Sequence, residues 1–280
     1  MRGFVLVDKR EGPTSHDIVD QVRGALGVKR VGHAGTLDPM ASGLLVIGVG
    51  PATRLLSYVQ RLPKVYETTG RLGVRTTTLD AAGDVVSQSA VDIGADEVVS
   101  AAAEFVGEIE QIPPAHSAVK VGGERAYRRA RKGERVEIAA RRVTVHSFEI
   151  TRVARDEFDA RIECSSGTYV RTLVADLGDR LGCGAHIVAL RRTSVGHLRV
   201  TDAVPPDRVD EASLLPVEDA LAHLPRIDVD EEAAVRAGHG RPIETDRPSF
   251  DEVLVCGPDG AIGVFRSAGG VLRPVTVLGR

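Results

Sequence analysis

Apolar residues run along this chain in short blocks and stripes that alternate between the periods of strand and helix. Phe4-Val5-Leu6-Val7 reads as a brief buried strand, ended by Asp8-Lys9. Thr14 or Ser15 can cap a helix running to about Leu26, with Ile18, Val19, Val22 and Leu26 on one stripe. Leu44 to Val49 is a continuous apolar run and predicts a second buried strand. A second amphipathic helix is expected from near Asp96, using Val98, Val99, Ala102, Phe105 and Val106. Phe158, Ala160, Ile162 and Cys164 alternate with polar positions, the pattern of a half-buried strand. Ser165-Ser166-Gly167 then turns the chain into a helix expected from Thr168 to Leu181, with Val170, Leu173, Val174, Leu177 and Leu181 inward.

The pattern changes after about Thr201. Pro205, Pro206, Pro216 and Pro225 punctuate an acidic stretch holding one short helix, Val217 to Leu224. Beyond it the chain is β-rich. Val253 to Cys256, a turn at Gly257-Pro-Asp-Gly260, and Ala261 to Arg266 form a hairpin, and Val271 to Leu278 a last strand. Strands and helices lack the regular rhythm of a doubly wound fold, so the class is α+β. Gly48-Val-Gly50 is no dinucleotide loop, because Pro51 and Thr53 stand where that motif needs other residues. The chain divides into a main domain, residues 1–222, and a small unit, residues 223–280, too short for a large core of its own and therefore expected to dock.

Composition narrows the class. The 280 residues are 42% hydrophobic and 27% charged, as in ordinary soluble proteins, and no apolar run spans a membrane or makes a signal-peptide core. Three scattered cysteines without a CxxC argue for reduced thiols in the cytoplasm, against disulfides and against a zinc site. The net charge of −3 hides alternating blocks: +5 over residues 1–75, −8 over 76–115, +7 over 116–200 and −7 over 201–280. Basic blocks folded together would make a phosphate-binding face on an acidic body. The densest run, Arg125 to Lys132, has five cations and Tyr127, and reads equally well as a solvated helix face or an RNA contact.

The most specific chemistry lies at Gly32-His-Ala-Gly-Thr-Leu-Asp-Pro-Met-Ala-Ser-Gly-Leu-Leu45. Glycines 32, 35 and 43 frame one imidazole, His33, and one carboxylate, Asp38, which precedes a proline. Glycine permits positive φ or close approach, and the residue before proline is kept out of the helical region, so the segment is a shaped loop presenting Asp38. On its own it also fits an ordinary Asp-Pro turn.

Three further segments accompany that loop: Val7-Asp-Lys-Arg-Glu-Gly-Pro-Thr-Ser-His16; Lys64-Val65-Tyr66 followed by Gly70-Arg-Leu-Gly73; and Cys164-Ser-Ser-Gly-Thr-Tyr169-Val-Arg171 followed by Leu190-Arg191-Arg192. Together they resemble the pseudouridine synthases of the TruB family, the bacterial tRNA pseudouridine-55 synthases, in an actinobacterial-like form. The resemblance runs in order over about residues 3–200, taking in Ile112 to Lys120 and Glu124 to Tyr127. It implies a central mixed, largely antiparallel sheet flanked by helices, plus a small C-terminal PUA-like β-barrel, an acidic version of the family's RNA-binding module that binds RNA or docks. It further implies that Asp38 is the catalytic aspartate, that Tyr66 stacks on the flipped uracil and helps remove the C5 proton, and that Arg171 pairs with the catalytic carboxylate. His33 corresponds to a residue filling the space the nucleotide leaves. Tyr169 and Leu190 belong to the pocket, Lys9 supports it, and Lys64 stands between phosphate contact and solvent. His116 departs from the aromatic found in many relatives.

The chemistry agrees with the resemblance. Converting uridine to pseudouridine breaks N1–C1′, turns the base and joins C5 to C1′; the atoms are conserved, so no cofactor or metal is expected. A detached base needs an aromatic platform, and a guanidinium helps a desolvated carboxylate stay ionised. Whether Asp38 attacks C1′, adds to the ring or assists a glycal route stays open. The expected partner is the T-arm stem-loop of tRNA, met by a monomer without a protein partner or a membrane. The rivals are an RNA-binding or tRNA-folding protein on the same scaffold, and a synthase for another RNA. A metal hydrolase using His16, His33 and Asp38 lacks ligand spacing on one element.

Overall fold

The computed structural model describes residues 1–114, 117, 119–121, 123–125, 129 and 138–279. His116, Tyr127, most of the basic run 125–132 and the side chain of Lys120 lie outside the described residues. The chain divides into two compact units, Met1–Leu62 with Val195–Arg280, and Pro63–Ser194.

The first unit opens with β1 (Gly3–Lys9), α1 (Ser15–Leu26), β2 (Val31–His33) and β3 (Ala41–Val49), then α2 (Leu56–Gln60). β1 and β2 both pair antiparallel with β3, placing Val7 opposite Leu45 and His33 opposite Ile47. The expected apolar runs are the buried strands. α1 begins at a capping box: the Thr14 hydroxyl accepts from Asp17 N at 3.1 Å, and the Asp17 carboxylate accepts from Thr14 N at 2.7 Å. It stops where Gly27 takes a left-handed φ of 62°, and Ile18, Val19, Val22 and Leu26 are its buried face as the spacing predicts.

The second unit contains β4 (Lys64–Leu72), β5 (Val74–Thr76), β6 (Val85–Gln88), α3 (Ala95–Ala103) and β7 (Gly107–Gln111). A two-residue hairpin pair follows, β8 (Lys120–Val121) and β9 (Glu124–Arg125), then β10 (Arg141–Ala154), β11 (Glu157–Cys164), α4 (Val170–Arg180) and β12 (Ala185–Val195). Its main strands lie in the order β12-β4-β11-β10-β7. β11 is buried at every second residue, as its alternation requires, and Gly70 of β4 makes room for the ring of Phe158 opposite it.

Three helices differ in extent from expectation. α3 ends at Ala103, because the chain must turn through residues 104–106 to enter β7 at Gly107, whose φ is 117°. Its buried face is Val98, Ala101 and Ala102, while Val99 and Val106 are about half exposed. α4 starts at Val170, and Leu181 falls beyond its end, half-buried. The short helix after Pro216 covers only Val217–Ala220.

The C-terminal segment returns to the first unit. After β13 (Leu198–Arg199) and α5 (Val217–Ala220) come β14 (Arg226–Asp228), α6 (Glu231–Gly238), β15 (Ile243–Glu244), β16 (Phe250–Gly257), β17 (Gly260–Ala268) and β18 (Val271–Val277). The five strands form one sheet, β14-β16-β17-β18-β15, with β14 parallel to β16. β16 alternates between two cores. Leu254 and Cys256 join Phe4, Leu44, Leu55 and Tyr58, while Val253 and Val255 join Phe265, Leu272 and Ile243. Polar contacts also join residues 223–280 to the start of the chain: Arg54 donates to Val277 O at 2.8 Å, and the Tyr58 and Thr276 hydroxyls lie 3.1 Å apart. The fold is α+β with largely antiparallel pairing.

One close approach holds α4 in place. Gly184 N donates to Gly178 O at 2.8 Å, and a Cβ on Gly178 would overlap the backbone of Gly184 and Ala185. Backbone atoms yield less readily than a side-chain tip, so Gly178→Ala should lower stability by about 2–3 kcal/mol. A urea midpoint unchanged from wild type refutes the close packing.

Candidate active site

Asp38 lies half-buried in the link between β2 and β3, and neighbouring buried groups hold that link by its main chain. Lys9, at the end of β1, is fully buried, and its Nζ donates to Ala41 O at 2.7 Å, Arg10 O at 2.9 Å and Pro39 O at 3.2 Å. Ser15, the first residue of α1, accepts from Leu37 N at 2.8 Å and donates to Leu37 O at 2.9 Å. Gly12 N donates to Pro39 O and Ala41 N to Asp38 O. The backbone on both sides of Asp38 is therefore tied to β1 and α1, which restricts where its carboxyl can point. Of the three framing glycines, Gly35 and Gly43 have positive φ, at 108° and 99°. Gly32 does not; a Cβ there would crowd Leu56, so that glycine serves packing. His33 is half-buried at the end of β2.

The remaining predicted residues lie in the second unit. Lys64 and Tyr66 share one face of β4, opposite Cys164 and Ile162 of β11. Thr68 continues that face and donates its hydroxyl to Ala189 O at 2.8 Å, one residue before the buried Leu190 of β12. Tyr66 is buried, and Lys64 is only 4% exposed. Burial pushes the Lys64 ammonium down to about 8, and the Arg192 guanidinium acts in the same direction. Burial raises the Cys164 thiol to about 11, so that sulfur is an inert neighbour.

Arg171 occupies the first turn of α4 and is 3% exposed, although its place one turn into a helix is equally that of a surface charge. Its Nη1 donates to Thr78 O at 2.7 Å and to Asp80 Oδ2 at 3.3 Å. Asp80 is buried as well. Its Oδ1 accepts from the Thr78 hydroxyl at 2.5 Å and from Ala82 N at 3.1 Å. Sequence reasoning missed Asp80, because Asp-Ala-Ala-Gly83 inside an acidic block reads as a solvated turn. The only local signal is the three threonines before it, two of which bond to it. Tyr169 is the N-cap of α4, and the Arg141 guanidinium lies 4.6 Å from the centre of its ring. Among the described residues, no group of three or more His, Cys, Asp or Glu is placed to hold a metal ion.

Residues 23–170 match the N-terminal domain of the TruB family of pseudouridylate synthases. The chain belongs to the TruB family. Residues 171–226 match the C-terminal domain of tRNA pseudouridylate synthase B. Asp38, Tyr66 and Tyr169 fall in the first match, Arg171 and Leu190 in the second, and Lys9 precedes both. The chain is 47% identical to tRNA pseudouridine synthase B of Thermobifida fusca (strain YX), over 96% of this chain and 92% of that protein. It is 44% identical to the protein of that name in Mycobacterium sp. (strain KMS), over 98% and 97%. With that of Ralstonia pickettii (strain 12J) it shares 42%, over 98% and 93%. In fold it resembles a chain of a Cbf5-Nop10-Gar1 complex, with a TM-score of 0.76 at 24% identity over 99% of this chain and 84% of that one.

Two outcomes follow for the buried lysines. Lys9→Met keeps the apolar stem but strips the donor from the Pro39 and Ala41 carbonyls, so it should cost about 2–3 kcal/mol of stability. A loss under about 0.5 kcal/mol in urea unfolding, the size of a neutral surface change, would remove Lys9 from loop support. Lys64 releases its proton near pH 8 when folded and near 10.5 when unfolded, so in that window the unfolded chain binds more protons and stability rises with pH. Wild type should therefore gain on Lys64→Met by up to about 1.4 kcal/mol per pH unit there. A gap between the two proteins that stays flat from pH 8 to 10 contradicts the buried, depressed lysine.

Proposed function

We propose that this TruB-family pseudouridine synthase converts uridine 55, in the T-arm loop of tRNA, to pseudouridine. The observation that carries the reading is the match, over more than nine-tenths of both chains, to relatives named tRNA pseudouridine synthase B. In this reading Asp38 is the carboxylate on which isomerisation depends, and its tied backbone presents it without a search through loop conformers. Tyr66 supplies the aromatic face for the flipped uracil, and Arg171, itself held by Asp80, is the arginine proposed to pair with the catalytic carboxylate and favour its charged form. His33 fills the gap left in the RNA loop. Tyr169 and Leu190 belong to the pocket and Lys9 supports it, while Lys64, expected at a phosphate or in solvent, is instead buried in β4.

The reaction exchanges a C1′–N1 bond for a C1′–C5 bond; C5 gives up its proton and N1 takes one up. Atoms and electrons balance without a redox partner. The enzyme must hold the freed uracil long enough to turn it, so an enclosed aromatic pocket matters more than a strong acid. Recognition would rest on RNA shape and phosphate charge, since structured RNA offers little base-edge readout outside its loops. Residues 201–280 carry 8 cations against 15 acids, so the segment 223–280 would steer or brace the catalytic part rather than bind RNA strongly. Among the described residues no helix is long and apolar enough to cross a membrane. A cytoplasmic monomer is the setting proposed.

The test is tritium release from a T-arm hairpin carrying uridine labelled at C5. Wild type should release label, and Asp38→Asn should lower the rate by at least about 10³-fold with RNA affinity unchanged. Turnover retained in Asp38→Asn would displace Asp38 from its role. Tight binding without release by wild type would favour the RNA-binding alternative or another RNA.

A further inference from the structure

Tyr169 caps α4 without the means to do so. A tyrosine offers no short side-chain oxygen to the first turn, and no side-chain capping bond is made there. Thr172 stands at the third helical position, from which a capping box would reach back, yet its hydroxyl makes no hydrogen bond among the described residues. The missing partner comes from another strand. Gln111, the last residue of β7 and 1% exposed, donates from Nε2 to Tyr169 O at 3.1 Å and accepts from Tyr169 N on Oε1 at 2.8 Å. One carboxamide thus satisfies both backbone groups of a residue 58 positions away.

Arg141 pairs directly opposite Gln111 in the β7–β10 register. Its guanidinium covers the Tyr169 ring and donates to Gly167 O. The cross-strand pair therefore grips the same short segment by backbone and by ring, immediately before Arg171. We propose that Gln111 and Arg141 are positioning residues that clamp Gly167–Tyr169, and so set the Tyr169 ring and the first turn of α4 for the reaction. This rests on the reading that Tyr169 and Arg171 act at the uracil. Neither clamp residue needs to touch RNA.

The geometry separates the clamp from general stability. Gln111→Glu keeps the shape and the acceptor for Tyr169 N, but as a carboxylate it opposes Tyr169 O. Protonation restores a donor, and burial raises the pH at which that happens. Gln111→Ala removes both bonds, and Arg141→Lys keeps the charge while losing the planar cover and the fork.

The experiment measures tritium release and amide hydrogen exchange over residues 165–175 for wild type and the three variants. Supporting kcat should fall about 10–100-fold, as for other residues that orient a functional group, with KM for the hairpin unchanged. Exchange should rise in 167–173 in Gln111→Ala, and the Gln111→Glu deficit relative to wild type should shrink as pH is lowered. Unchanged kcat in Gln111→Glu and Arg141→Lys overturns the clamp, as does a deficit in Gln111→Glu that ignores pH. If Gln111→Ala fails to fold, those two variants decide. No release by wild type refutes the functional reading instead; exchange then decides the clamp, with faster exchange sustaining it and unchanged exchange overturning it.

Discussion

A charge taken out of water has to be met by another group, and this requirement shapes the parts of the chain on which its chemistry depends. Among the described residues Lys9, Lys64, Arg171 and Arg192 are buried, against a single buried carboxylate, Asp80. Lys9 is met by carbonyls, and the link bearing Asp38 takes its shape from that need. Arg171 is met by Asp80 and Thr78 O, and the turn at residues 78–82 takes its shape in turn. The two solutions differ electrically. Carbonyl oxygens solvate the Lys9 ammonium through their dipoles, whereas the Asp80 carboxylate meets the Arg171 guanidinium charge against charge.

Local pattern reached far into this fold. β1, β3, β11 and α1 follow from apolar period and cap residues that sit within a few positions of each other, and the structure has them where the pattern puts them. α3 was overextended because Phe105 and Val106 continue its apolar stripe, and the constraint that stops it, the need to enter β7 through Gly107, is not local to the helix. The site divides the same way. Asp38 was legible because its glycines, proline and flanking run lie in one segment, although one of the glycines turned out to relieve crowding by Leu56. Asp80, Gln111 and Arg141 were not. Each is an ordinary polar residue at a turn or strand end until its partner, tens of positions away, arrives beside it.

Arg171 shows why the second kind of information is hard to extract. Helical position alone offers an exposed guanidinium, and propensity has no objection to either face. Only the fold's placing of Asp80 and Thr78 O in front of it makes burial tolerable. Lys64 is the same case in a strand: its face is set by Tyr66 two residues on, so the lysine goes inward with the tyrosine and releases its proton more easily.

The first unit is assembled from the two ends of the chain, with the second unit inserted between them. Phe4 exchanges hydrogen bonds with Leu215, Tyr58 reaches Thr276, and Arg54 reaches Val277, so the early strand and helices are completed by residues made much later. During synthesis, residues 63–194 emerge as one contiguous stretch, while β1 and β3 wait on the order of ten seconds at ordinary elongation rates for Leu254, Cys256 and Val264, which share their core. The apolar faces of Phe4 and Leu44 are thus the nascent chain's exposed surface, and a ribosome stalled before β16 would hold out a half-built core to the cell's chaperones.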